Sequence, residues 1–132
     1  MIMKIVNLTQ HAASKEQEQL GVFDLPVRFH KELTQLLTFE TCPTFEQVKQ
    51  RAWDIALLCE SYGDYSDQNI QFAMIGGVPF LMSSLEKELF DIGVTPMYAF
   101  SERRSTERMN SEGQIEKVSQ FFHAGWVISG GE

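Results

Sequence analysis

Apolar positions along this chain switch between two habits: short β-rich runs, and longer stretches in which they recur every three or four residues. The opening "MKIVNLT" is a β-rich run ending in polar residues and predicts a strand over 3–8. "ASKEQEQLG" follows, with Ser14 and Gln17 at capping-box spacing and Gly21 as a stop, which predicts a helix of one to two turns. "VFDL" (22–25) predicts a brief second strand ended by Pro26. In "RFHKELTQLL", Phe29, Leu33, Leu36 and Leu37 fall at helical spacing. The stretch after Pro43 is clearer. Thr44 is the N-cap, Gln47 takes the capping-box position, and Val48, Ala52, Ile55, Ala56 and Cys59 form one stripe. Gly63 is expected to end that helix, "GDYSDQN" to be a polar loop, and "IQFAMIG" to be a buried strand.

Pro79 suits the first turn of the next helix, where its missing N–H would have no partner in any case. Met82, Leu85 and Leu89 make the buried stripe of that helix, and Gly93 is its stop. "TPMYAF" (95–100) predicts another strand with Pro96 near its start. The remainder reads as two extended runs around the turn "NSEG", an antiparallel hairpin from about 104 to 128. There is no internal repeat, low-complexity tract or linker, so residues 1–132 are read as one domain. Alternating strands and helices with a terminal hairpin predict a three-layer α/β fold. Its sheet is mostly parallel, with parallel strands near 3–8, 70–75 and 96–100.

Composition narrows the function classes. No run of about 18 apolar residues is present, so no membrane span is expected. The N-terminal stretch lacks the long apolar region and small-residue cleavage site of a signal peptide. Cys42 and Cys59 allow at most one bridge and have no metal-type spacing, so a reduced, cytoplasmic setting is the simpler expectation. The net charge of −7 argues against long nucleic acids, which are held by many Lys and Arg contacts to phosphate. A small anionic ligand stays open, because a pocket needs only a locally favourable field.

In a sheet of this kind ligands bind outside the carboxyl ends of the parallel strands. Three polar clusters from distant parts of the chain are expected there. Asn7, Thr9 and His11 follow the first strand, Gly76 and Gly77 the middle one, and Ser101, Arg103 and Arg104 the "YAF" strand. The two glycines of "AMIGGVPF" permit close approach of a ligand to backbone, and the helix that follows offers free N–H groups. A tight strand-to-helix turn with no ligand explains them equally well. The turn is neither a Walker loop nor a GxGxxG fingerprint. Arg103 and Arg104 can clamp phosphate bidentately. Taken singly, each fits a solvated, salt-bridged hairpin better, with Glu102, Glu107 and Glu112 interleaved. His11 and His123 are candidate general acids or bases, whereas His30 on its amphipathic helix is read as structural. No nucleophile elbow and no zinc spacing is visible.

Taken together, "NLTQHAASKEQEQLGV", "AMIGGVPFLM", "GVTPMYAFSERRSTE" and "EGQIEKVSQFFHAGWV" resemble a small family of CRISPR-associated ring nucleases. Its members open with a strand, an Asn/His/Thr turn and a helix. They continue with a strand ending in a glycine turn, a "PVYATTxR" strand and a "DGxVxxxxFRHVxF" hairpin. The resemblance spans most of the chain and implies a Rossmann-like homodimer. Such a dimer binds a cyclic oligoadenylate and linearises it without a cofactor or metal, by attack of a ribose 2′-hydroxyl. Carried over by position, Asn7, Thr9, Gly76, Gly77, Ser101 and Arg103 bind the ligand, and His11, His123 and Arg104 serve the reaction. The chain departs from the family pattern in places. "IGG" replaces Gln-Gly-Asp, Phe100 and Ser101 replace two threonines, and Phe122 replaces the arginine before the histidine. The competing readings are a nucleotide-binding module without catalysis and a protein-interaction domain without a ligand.

Overall fold

The computed structural model describes residues 3–129. In chain order the elements are β1 (Ile5–Asn7), α1 (Lys15–Gln19), β2 (Val22–Asp24), α2 (Val27–Leu37) and α3 (Phe45–Ser66). Then come β3 (Phe72–Met74), α4 (Pro79–Asp91), β4 (Thr95–Met109) and β5 (Ile115–Ile128). Among the described residues the strands form one sheet in the order β2-β1-β3-β4-β5. The β2/β1, β1/β3 and β3/β4 pairs are parallel and β4/β5 is antiparallel. This is the mostly parallel sheet with a C-terminal hairpin that the alternation of patterns predicts.

Side chains on the short strands alternate between two apolar layers. Val6 and Ala73 face the larger one, with Leu33 of α2, Ala52 and Ile55 of α3, and Leu81, Leu85 and Leu89 of α4. Each fully buried leucine there contributes about 2 kcal/mol. Ile5, Met74 and Met97 face the opposite way with Val22, and Ala13, Phe72 and Trp126 pack against them. That second layer is thin. α1 buries no residue of its own, so the loop before it and the indole of Trp126 cover much of the cluster.

Both predicted capping boxes form. Ser14 Oγ accepts from Gln17 N at 3.2 Å and Thr44 Oγ1 from Gln47 N at 3.2 Å, each glutamine answering with its own side chain. Two expectations need correction. Gly63 does not end α3, which runs on to Ser66 and closes at Asp67 in the left-handed region, φ 55°. A Cβ at Gly63 would lie 3.1 Å from the carbonyl oxygen of Gln68. The glycine is there for close approach of the returning chain, and the first four residues of the expected loop are helical. The second correction concerns β4. "TPMYAF" and the first arm of the hairpin are one continuous strand of 15 residues, with a bulge at Phe100/Ser101.

The topology fixes where a site can be. From β1 the chain crosses to β2 on one side, and from β2 it crosses back over to β3 on the other. The loops leaving the carboxyl ends of β1 and β3 therefore diverge and open a crevice between them.

Candidate functional site

The loop after β1 is wound around Asn7. This residue is 2% exposed and is the buried polar residue of the described chain. Its Nδ2 donates to the carbonyl oxygen of His11 at 2.7 Å and to Asp24 Oδ1 at 2.8 Å. Its Oδ1 accepts from Thr9 N at 2.9 Å and from Thr9 Oγ1 at 2.7 Å. With donors facing acceptors on both sides, the amide orientation is unambiguous. Asp24 Oδ1 also accepts from Ala13 N at 3.0 Å, which ties the far end of the same loop to the end of β2. Asn7 is thus the organiser of the loop, and all four of its bonds are internal to the protein.

A cavity of about 380 Å³ lies beside this loop. Thr9, Gln10, His11 and Ala12 line one wall, with Gln17 of α1. Met74, Ile75, Gly76 and Gly77 line another, and Tyr98 and Ala99 close it from β4. The ends of β1 and β3 meet at it beside the inner part of β4. A Cβ built on Gly76 would stand 3.6 Å from the methyl group of Thr9, so the two loops nearly touch across the crevice. Gly77 has φ 155°, a backbone region essentially reserved for glycine. α4 then starts at Val78, whose side chain gives no cap, with Pro79 in the first turn. Unlike α1 and α3, α4 begins with no side-chain cap among the described residues.

Ser101, Arg103, Arg104 and His123 lie elsewhere, on the β4/β5 arm, and none of them lines this cavity. Arg103 sits 5.4 Å over the ring of Phe121 and Arg104 4.9 Å over that of Phe122, with Glu102 3.1 Å from Arg104. His123 pairs with Ser101 and leans on Trp126, ring centroids 4.5 Å apart. Both of its ring nitrogens are sealed from solvent and find no partner among the described residues. Burial lowers its pKa below the ordinary histidine value, with Glu16 pulling weakly the other way. A lowered folded-state pKa means that the unfolded chain binds the proton more readily. The stability His123 contributes is whole above the ordinary histidine range and is lost as the pH falls through it to the lower folded value. The melting temperature of wild type should therefore drop towards that of His123→Gln between pH 8 and pH 5 (~3 units). A constant gap between the two melting curves across that range would show that the imidazole is not shielded.

Tyr98 shows a second constraint. Its hydroxyl donates to Glu86 Oε2 of α4, and Ser129 Oγ donates to the other carboxylate oxygen at 2.6 Å. Burial first, and Glu86 second, raise the phenol pKa, so the group stays protonated and holds β4 against α4. Both cysteines are free, and burial pushes the Cys59 thiol up to about 12, which leaves it inert. No cluster of three or more His, Cys, Asp or Glu able to hold a metal occurs among the described residues. No helix among the described residues is long and apolar enough to cross a membrane.

Sequence reading did not single out Asp24 or Gln10, and it gave Gln17 only its capping role. Asp24 was within reach, since it ends β2 and the carboxyl ends of neighbouring parallel strands lie side by side. Gln10 carried no pattern that set it apart, and the spacing of Gln17 from Ser14 spoke only of the cap.

Fold and cavity together define a small α/β protein with a ligand-sized hollow at the switch point of its sheet. The chain belongs to the uncharacterized protein MJ1673 family, whose model matches residues 3–127. Comparison with curated proteins and with solved structures found no significant match.

Proposed function

We propose that the cavity between the β1 and β3 loops binds one phosphate–ribose unit of a small cyclic oligonucleotide, a cyclic oligoadenylate in the reading the resemblance suggests. The observation that carries this is the convergence of Thr9, His11 and the Gly76–Gly77 turn on one hollow beside an uncapped helix start. Backbone N–H groups and the positive end of α4 suit an anion there. A volume of about 380 Å³ is at the lower end for small-molecule pockets. It suits one nucleotide unit with the rest of the ring outside, and a two-fold ring then calls for two such hollows in a homodimer.

His11 supports a step beyond binding. The 2′-hydroxyl of RNA is its own nucleophile, so the protein has only to align it with phosphorus and move a proton. Of the lining side chains, His11 is the one suited to that transfer, since the Tyr98 hydroxyl is committed to Glu86. The second reading is a binder without catalysis. It is favoured by the position of Arg103 and Arg104 on the arm, outside the cavity lining, which leaves no cation there to share the charge developing in the transition state.

Titrating the protein with cyclic tetraadenylate in EDTA, and resolving what the ring becomes, separates the readings. Gly76→Val is the informative variant. Gly76 avoids the glycine-only φ of Gly77, so an added side chain costs little backbone strain, yet it projects against Thr9 within the crevice. Affinity should fall at least about tenfold with the melting temperature held. Unchanged affinity in a folded Gly76→Val protein would return the turn to a plain strand-to-helix connection.

A further inference from the structure

Among the described residues, no strand pairs with the β3-facing edge of β4 beyond Met97. β3 pairs with β4 only over Thr95–Met97, and the last bond of that ladder region runs from Ile75 N to Met97 O at 2.9 Å. From there β4 and β5 continue as a two-stranded arm whose β4 residues, Ala99 to Met109, are all exposed. Nine residues from Ser101 to Met109 extend roughly 30 Å. A free ribbon of two strands is marginal in water, and its open edge is a template for another strand. We infer that the arm is completed by a second copy of this chain, the β4 edges pairing antiparallel about a two-fold axis through Ser105.

The charges choose both the occupant and the register. About Ser105 the strand reads Glu102-Arg103-Arg104-Ser105-Thr106-Glu107-Arg108. A two-fold axis there sets Arg103 opposite Glu107 of the second copy, and symmetry repeats that pair. Glu102, bonded to Arg104 of its own strand, comes opposite the second copy's Arg108, bonded to Glu116, so these join into a network of alternating charge. Ser105 then faces its own counterpart and Arg104 faces Thr106. Moving the axis one residue to Arg104 places two arginines face to face. Moving it to Thr106 sets Arg104 opposite Arg108. Opposite charges across an antiparallel pair stabilise it and like charges destabilise it, so one register is selected. The outer edge of the arm offers no such match, because between Ile115 and His123 it carries only Glu116 and Lys117 as charged residues. The region from Phe100 to His123 holds four basic and four acidic residues, so the net charge of −7 belongs to the rest of the chain. Two neutral arms can approach where two acidic bodies repel.

The pairing also bears on the cavity. With Met109 of the second copy opposite Ser101, the turn that follows it comes beside Phe100 and Ala99, and Ala99 lines the hollow. Each copy would roof the other's cavity. That consequence rests on the binding reading above, whereas the pairing rests on the arm alone.

Sedimentation velocity without ligand tests the pairing first. Wild type should sediment as a dimer, and Arg103→Glu should weaken dimerisation about tenfold or more by setting like charges opposite at two places. The double exchange Arg103→Glu with Glu107→Arg should restore it. In a Cys42→Ser background, Ser105→Cys should oxidise to a covalent dimer, since its Cβ atoms would lie about 5 Å apart on the axis. Glu112→Cys, at the tip of the arm, should not. Circular dichroism checks that each variant keeps its fold. A wild type that remains monomeric overturns the inference, as does a charge reversal without effect, an exchange that fails to restore, or cross-linking at Glu112→Cys instead of Ser105→Cys. An intact dimer that ignores cyclic tetraadenylate would sink the ligand reading and leave the pairing standing.

Discussion

Asn7→Ala is expected to lower the melting temperature by roughly 10 °C and to abolish ligand binding together with it. Four hydrogen bonds converge on this side chain, at 2.7 to 2.9 Å, and almost none of it reaches solvent. Thr9 and Asp24 are near enough to the surface to recover some hydration, so the loss is less than four full bonds. A net cost of about 3 kcal/mol follows from lost hydrogen bonds and the space left behind. For a chain of this size each kcal/mol moves the melting temperature by about 3–4 °C. Asn7→Asp is expected to do no better at neutral pH. It keeps the acceptor for Thr9, but it loses the donor to His11 O and sets one carboxylate against another at Asp24. Thermal melts followed by circular dichroism, with calorimetry on the folded fraction, give the answer. A shift of less than about 2 °C for Asn7→Ala would mean that the loop does not depend on this residue.

The distinction between organiser and ligand contact also marks where sequence reading ran out. Local devices were legible. Ser14 with Gln17, Thr44 with Gln47, and Gly21 and Gly93 past their helices act within one turn of backbone, and the sequence spacing contains the whole argument. Gly63 was misread because its reason is tertiary: the carbonyl of Gln68 returns against it, and no helix stop is involved. The same holds at the site. The convergence of the β1 and β3 loops could be expected from strand order, and the cavity lies there. That Asn7 turns inward while Thr9 and His11 line the hollow depends on Asp24, whose reach across from β2 has no sequence pattern. Arg103 and Arg104 were placed beside the cavity by proximity to "YAF". The long continuous β4 carries them away from it, out along an arm whose length only the β5 pairing makes possible.

His11→Ala gives the sharpest separation between enzyme and binder. The loop holds His11 through its backbone: the carbonyl oxygen accepts from Asn7 Nδ2 at 2.7 Å. The imidazole itself makes no hydrogen bond among the described residues, so truncating it leaves the backbone of the turn in place. If the ring is opened by proton transfer through His11, the variant should bind cyclic tetraadenylate within a few-fold of wild type. It should convert the ring roughly 10² to 10⁴ times more slowly. His123→Ala serves as the contrast. Its imidazole is packed on Trp126 outside the lining, so turnover should hold while stability and its pH dependence change. Single-turnover measurements in EDTA, with protein in excess, read the chemical step without interference from product release. Full activity in His11→Ala removes His11 from the mechanism. Wild type that binds the ring and returns it uncut makes the chain a binder, and the hollow between β1 and β3 then serves recognition alone.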